Sequence, residues 1–201
     1  MMKTFTTTFL YFAIFLLFTN TSHTQLRFGI GGGLTSITSP SGYTNSIADN
    51  GEGFGSNFNF GAQIRLDIPL VPITPIFFAD YHMLRGSGSA NGFDVSTSQN
   101  ILSVGVEAEF ILLPLPLIKP YVSIEAAINN FGDLKEDTNP GSVSGGSMSR
   151  FGGAVGIGTM VTILPIFDFD LSLKYHLFNL IGKSSGEASI DAFSLNLALI
   201  L

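Results

Sequence analysis

The 201-residue chain contains no cysteine and no tryptophan. Without cysteine there is no disulfide framework, no thiolate metal site and no cysteine nucleophile. Nor can a lipid be attached at a processed N-terminal cysteine. Charge is scarce as well. Asp, Glu, Lys and Arg make up 12% of the chain, about half of what a soluble domain carries. Only 9 residues are basic against 15 acidic, for a net charge of −6. No basic stripe exists to neutralise phosphates, so nucleic acid is excluded as a partner. Yet 45% of the residues are hydrophobic and the mean hydropathy is +0.40, which excludes a disordered chain. The length suits one domain.

The first residues read as an address. Lys3 is the sole charge before Arg27, an apolar run follows from Phe9 to Phe18, and small polar residues follow that. These are the three regions of a secretory signal. The run is well short of the roughly 20 apolar residues of a spanning helix. Residues 1–24 are therefore expected to be a signal peptide, cleaved near Thr24–Gln25, and 25–201 the mature domain.

The mature chain has a period of two. Every even position from Phe58 to Ile68 is apolar and every odd one between is polar or glycine. Strict alternation of this kind marks a strand with two unlike faces. Its eleven residues match the roughly 9–11 needed for a tilted membrane-spanning strand. Similar alternation begins at Leu26, Phe77, Leu102, Val122, Phe151, Phe169 and Phe193, giving eight strands. Short Pro-rich connections (69–75, 113–120, 164–167) alternate with long polar ones (38–56, 86–99, 130–149, 180–190). An up-and-down meander then gathers all the long loops at one end, as transmembrane barrels do. A soluble barrel with its apolar face inward fits less well. The polar face is too rich in Gly and Ala and too poor in Lys to be a wet exterior, whereas a narrow lumen favours small residues. Aromatic residues such as Phe58, Phe60, Tyr81, Phe151, Tyr175 and Phe193 bracket the apolar runs, as interfacial girdles do. The fold class expected is all-β: an eight-stranded antiparallel transmembrane β-barrel.

The polar face then lines the lumen. Arg27, Arg65 and Lys174 are expected to meet Asp80, Glu107, Glu109, Glu125 and Asp170 there, with His82 and His176 on the same face. Such a network replaces a hydrophobic core, because an isolated buried charge is costly. Acids outnumber bases on this face, so some carboxylates must share protons or bind water.

The stretches 26–34 with its FGIGGG, 119–128 (KPYVSIEAAI) and the terminal alternation 193–201 resemble the small eight-stranded outer-membrane β-barrel family, of the OmpA transmembrane-domain, OmpX and OmpW types. The resemblance covers about 25–201 and rests on pattern rather than on one motif. It implies a monomer in the bacterial outer membrane, in contact with lipid and lipopolysaccharide and assembled by the barrel-assembly machinery. Family members commonly end in an aromatic residue, whereas this chain ends in Leu201. With strand eight at the end of the sequence, no peptidoglycan-binding domain is expected.

Three chemistries come into question. His82 and His176 with Asp80 and Asp170 suggest a metal or acid–base site, but only pairs are present where a metal wants three or four converging ligands. The glycines at 29–33 and 152–158 sit inside alternating strands, which is the wrong context for a phosphate loop. Asp133, Glu136 and Asp137 lack the spacing of a calcium loop. No cofactor, metal or catalytic residue is expected. Tyr43, Phe54, Phe93 and Phe131 lie in or beside the long loops, where an adhesive surface toward an extracellular ligand is expected. The expected role is structural or surface-interacting, with a side-chain-filled lumen. A narrow porin-like channel is one alternative. A lipid-modifying enzyme is the other, and it requires a Ser or Thr within hydrogen-bond reach of His82 or His176 at the membrane-facing rim.

Overall fold

The computed structural model describes residues 25–69, 71–90, 92–113, 115, 117–138, 141–164 and 167–201. The expected signal peptide, 1–24, lies outside the described residues. Among the described residues ten strands form: β1 (Gln25–Ser39), β2 (Ser56–Asp67), β3 (Ile73–Ala90), β4 (Phe93–Ile111), β5 (Ile118–Phe131), β6 (Lys135–Thr138), β7 (Gly141–Ser144), β8 (Met148–Leu164), β9 (Phe167–Ile181) and β10 (Asp191–Ile200). Eight of them close into a ring of antiparallel neighbours, β1–β2–β3–β4–β5–β8–β9–β10, which the β1–β10 pair seals. The fold is therefore the closed eight-stranded barrel that the alternation implies. Closure leaves no open edge within the apolar zone, which lipid would not tolerate.

The faces divide as the periodicity predicts. Leu26, Phe28, Ile30, Phe58, Phe60, Phe77, Val104, Val106, Ile124, Ile128, Val155, Ile157, Leu195 and Leu197 all point outward and are exposed, Phe58 to 68%. A continuous apolar belt of this extent far exceeds the patches of water-soluble monomers and is stable only against lipid. Cross-strand aromatic pairs reinforce it: Phe60 faces Tyr81 at 5.3 Å between ring centroids, and Phe193 faces Tyr175 at 4.9 Å. Placing a cation in this belt forfeits its match to hydrocarbon. Ile124→Arg, mid-strand on β5, is expected to cost about 2–4 kcal/mol of folding free energy. Urea titration in lipid vesicles checks this, and a change below about 1 kcal/mol would mean the belt does not meet hydrocarbon.

The barrel wall is uneven in height. β3 and β4 pair along their whole length, from Ile73 opposite Phe110 to Ala90 opposite Phe93. The stretch 86–99, expected to be a long loop, is therefore strand with a tight turn beside it, where Gly92 adopts φ 83°. An Asn-Gly pair at 91–92 is the sequence signal for such a hairpin. The connection 130–149 is likewise not all loop. After a bend at 132–134, β6 continues upward from β5 along β4, and β7 pairs with β6. β3, β4, β6 and β7 thus raise a sheet above the lower side formed by β9, β10, β1 and β2. There the connection 40–55 folds back as one helical turn, α1 (Ser41–Thr44), and a 3-10 turn at Ile47–Asp49.

Candidate functional site

The lumen and the long-loop end hold every candidate site residue singled out from sequence. The inward positions stack in layers along the barrel axis. Nearest the short-turn end, Arg27 donates to Asp168 at 2.5 Å and to the carbonyl of Ile200 at 3.2 Å, with Asp67 at 3.7 Å. Arg27 and Arg65 are direct partners on β1 and β2, so their like charges must be drawn apart by different acids. Arg65 turns to the opposite wall. It is 0% exposed and forms a two-bonded fork with Glu109, one of the bonds 2.8 Å long. Asp170 lies 3.7 Å from the same guanidinium and accepts a 2.6 Å hydrogen bond from the Tyr121 hydroxyl. Tyr121 has room because Gly158 faces it: a Cβ there would strike the ring.

The next layer is organised by Lys174. Glu107 and Glu125 stand directly opposite each other on β4 and β5, a repulsive pair by itself. Lys174 reaches across from β9 and donates to Glu107 at 2.7 Å and to Glu125 at 3.2 Å. Its ammonium also sits 5.6 Å from the centre of the Phe78 ring. Asp80 faces the same layer from β3 and forms no ion pair among the described residues.

Above Lys174 the two histidines face each other with ring centroids 5.7 Å apart. Thr35 Oγ1 accepts from Asn59 at 2.8 Å, which leaves its own proton for His82 Nδ1 at 2.8 Å. Ser194 Oγ accepts from Asn196 at 3.0 Å and meets His176 Nε2 at 2.8 Å. The other nitrogen of His176, Nδ1, lies 3.9 Å from Glu125.

An apolar cap closes the long-loop end. Ile37, Phe54, Leu84, Ile101, Phe131, Phe178, Ile190 and Ala192 form one buried cluster, with Tyr43, Leu134 and Met148 packed against it. Phe178 stacks on His176, with centroids 5.1 Å apart and planes at 7°, so the cap rests on the histidines. The adhesive surface expected from Tyr43, Phe54, Phe93 and Phe131 is therefore overturned. Phe54 and Phe131 are buried, and Tyr43 is half-buried with its hydroxyl on Gln99 at 2.9 Å. Aromatics in a loop above an open barrel mouth lower their free energy by filling it. Of the four, Phe93 alone is exposed. Asp133, Glu136 and Asp137 are also exposed.

Glu187 straps the last long loop down. It accepts from Arg150 at 2.6 Å, from Asn179 at 2.9 Å and from the Ser184 backbone at 2.9 Å. The Arg150 hydrogen bonds hold its carboxyl down at about 2. A lowered carboxyl stabilises the strapped loop above the unfolded-state value near 4.5, and that contribution disappears as pH falls through about 2. The protection factors of the amides in 183–189, taken relative to intrinsic exchange at each pH, are accordingly expected to fall between about pH 4.5 and 2, and Glu187→Gln is expected to abolish that fall. Protection factors that stay flat with pH in the wild-type protein would contradict this.

The solved structures that share this architecture include two outer-membrane barrels. One is neisserial surface protein A (NspA), at 15% identity, with 88% of this chain covering 96% of that one and a TM-score of 0.59. The fold is that of the eight-stranded outer-membrane barrels. The other outer-membrane barrel is Ail, the attachment invasion locus protein of Yersinia pestis, at 14% identity, with 89% of this chain covering 99% of that one and a TM-score of 0.51. No protein-family model and no curated sequence matches the chain. All ten residues that the alternation assigns to the lumen lie on the inner face of the barrel. Sequence reasoning missed Asp168, Tyr121, Thr35, Asn59 and Ser194, which complete their hydrogen bonds. Alternation marks the face of a residue, not its partner across the lumen.

Proposed function

We propose that the protein is an exported, monomeric bacterial outer-membrane barrel with a non-enzymatic, surface-interacting role. Its belt meets lipid and lipopolysaccharide, its assembly uses the barrel-assembly machinery, and its long-loop end faces outward toward an extracellular ligand. One observation carries this reading: the sheet of β3, β4, β6 and β7 rises above a barrel whose lumen is closed by ion pairs and roofed by an apolar cap. A tall sheet over a blocked pore serves presentation rather than transport. β7 ends that sheet, its residues are all exposed, Val143 to 72%, and its outer edge carries no strand among the described residues. A free edge is a template for adding a partner's strand. The names of the two similar structures, a surface protein and an attachment protein, accord with it.

A hydrolytic reading has one observation in its favour, the Ser194–His176–Glu125 line. Ser194 is buried in the lumen beneath the cap and not at the membrane-facing rim, so an acyl chain has no route to it. A channel reading requires Arg65 and Lys174 to leave their carboxylates, at the cost of stranding buried charge.

Three measurements test the proposal. Val143→Cys on intact cells is expected to react with a membrane-impermeant maleimide, and the purified barrel in a planar bilayer is expected to show no steady conductance. Cells whose 133–147 is replaced by a two-residue turn are expected to attach less to serum-protein-coated glass. A thiol at position 143 that stays unlabelled, stable ion-selective openings or unchanged attachment would overturn it.

A further inference from the structure

The two ends of the barrel differ in kind. The long connection 130–149 alone carries Asp133, Lys135, Glu136 and Asp137. The short connections carry no charge. No Asp, Glu, Lys or Arg occurs in 68–75, 110–118 or 163–167, and Thr74, the sole hydroxyl among them, is turned inward and buried. The charges that border these turns, Arg27, Asp67, Lys119 and Asp168, occupy lumen-facing register positions. What the turns expose is apolar: Val71, Leu112, Leu113, Leu115, Leu117 and Ile163 are 42–65% exposed.

The backbone of these turns offers few free donors. Seven of the nine prolines fall in 69–75, 114–120 and 165, and proline has no N–H to leave unpaired. Among the described residues, the N–H of Val71 donates to Ile68, that of Ile111 to Pro72, that of Leu112 to Pro120, that of Leu115 to Leu113 and that of Thr162 to Leu117, all at 2.9–3.2 Å. A turn in water gains nothing from losing donors, whereas an unpaired donor in lipid is costly. The apolar surface also runs past the height a bilayer requires. On the long-loop side the outward positions of β4 and β5 turn polar at Asn100 and Asn130. From Leu102 to Leu112 the strand runs roughly 34 Å, which a tilt of about 40° reduces to about 26 Å, already the height of a membrane barrel's apolar band. The turn continues beyond Leu112 with no polar border.

We propose that the three short turns form a hydrophobic foot inserted into the lipid of the adjacent leaflet, at the boundary between headgroups and acyl chains. Continuity selects lipid as the occupant. The turns pass without a break into the apolar belt, and they lack the polar rim that surrounds a protein interface. The proposal rests on the reading of the belt as lipid-facing, and it extends that contact to the turns themselves. The foot anchors the barrel in the membrane from one end and leaves the long-loop end in water.

The chain has no tryptophan, so one substitution supplies a unique fluorophore. The test refolds the purified full chain carrying Leu115→Trp into phosphatidylcholine vesicles, with iodide on both sides of the bilayer. Val143→Trp on the exposed sheet and Ile124→Trp in the belt are the references, and Val71→Trp repeats the measurement on the turn between β2 and β3. Leu115→Trp and Val71→Trp are expected to be quenched by lipid brominated on the acyl chain near the headgroup, as Ile124→Trp is. Iodide is expected to quench them several-fold more weakly than Val143→Trp, at every protein-to-lipid ratio. Turns as open to iodide as Val143→Trp, with Ile124→Trp quenched by lipid, would overturn this proposal and leave the belt intact. Shielding from iodide that vanishes as the protein is diluted in lipid would overturn it in favour of a second copy of the chain. Shielding without quenching by brominated lipid would overturn it as well. An Ile124→Trp that brominated lipid does not quench would sink the lipid-facing belt and the foot together.

Discussion

Replacing Arg65 with Met is expected to destabilise the folded barrel by about 3–5 kcal/mol. The guanidinium is fully buried, forks onto Glu109 and lies 3.7 Å from Asp170. Met keeps most of the volume but none of the charge, so two buried carboxylates would face each other without a cation. The cost comes from what is left behind more than from the bond itself. Arg65→Met combined with Glu109→Met should therefore recover most of the loss, since a buried ion pair exchanged for apolar groups of similar volume is often neutral. Arg65→Lys should fall between, retaining charge but losing the two-bonded geometry. Urea unfolding in lipid vesicles reads all three. A single-variant loss below about 1 kcal/mol, or a double variant no better than the single, would show that this pair does not hold the lumen together.

The second large effect concerns the cap. Phe54 is wholly buried although it lies in the connection between β1 and β2, and its ring meets Tyr43 edge-on at 5.4 Å. Phe54→Ala should cost the docked loop about 3–5 kcal/mol, the usual range for a buried Phe. The wall strands do not depend on that contact, so the loss should be local. Proteinase K should cut within 40–55 at least about 100-fold faster, because cleavage tracks the population of the opened loop. The barrel's urea midpoint should move little. Phe93→Ala is the control, exposed at the start of β4 and expected to change neither reading. Equal cleavage rates in the Phe54 variant and the wild-type protein would show that the cap is not what holds the loop.

These two residues also mark the limit of what could be read from the sequence. Arg65 was legible, because the apolar neighbours Ile64 and Leu66 assign it to the inner face whatever the rest of the chain does. Phe54 was not. It sits among Gly51, Gly53 and Gly55, outside any alternation, and its burial depends on where the loop lands over the barrel mouth. Phe131 failed differently. It follows Asn129 and Asn130 at the end of β5, where the apolar side switches from lipid to lumen and reads as the start of a loop. The hairpin of β6 and β7 carries Lys135, Glu136 and Asp137 beside Gly and Ser, all in water, so no apolar stripe announces it. Periodicity reports contact with lipid. It falls silent above the belt, where both faces are wet, and it gives no distances across the lumen.

The seam between β1 and β10 has a consequence for how the barrel comes into being. Phe28 and Leu201 exchange backbone hydrogen bonds of 3.1 and 2.7 Å, and Gly29 faces Ile200. Every other pair of neighbours around the wall is a hairpin between successive barrel strands, so those contacts form over short stretches of chain. The seam alone joins the two ends. Its loop-closure entropy is therefore the largest in the molecule, and it is the last to be recovered. Until that moment the chain is a curved sheet with two bare edges and no closed interior, so Arg27 cannot yet meet Asp168. Barrel formation should thus be slow and all-or-none, with the final zip of β1 onto β10 setting its rate.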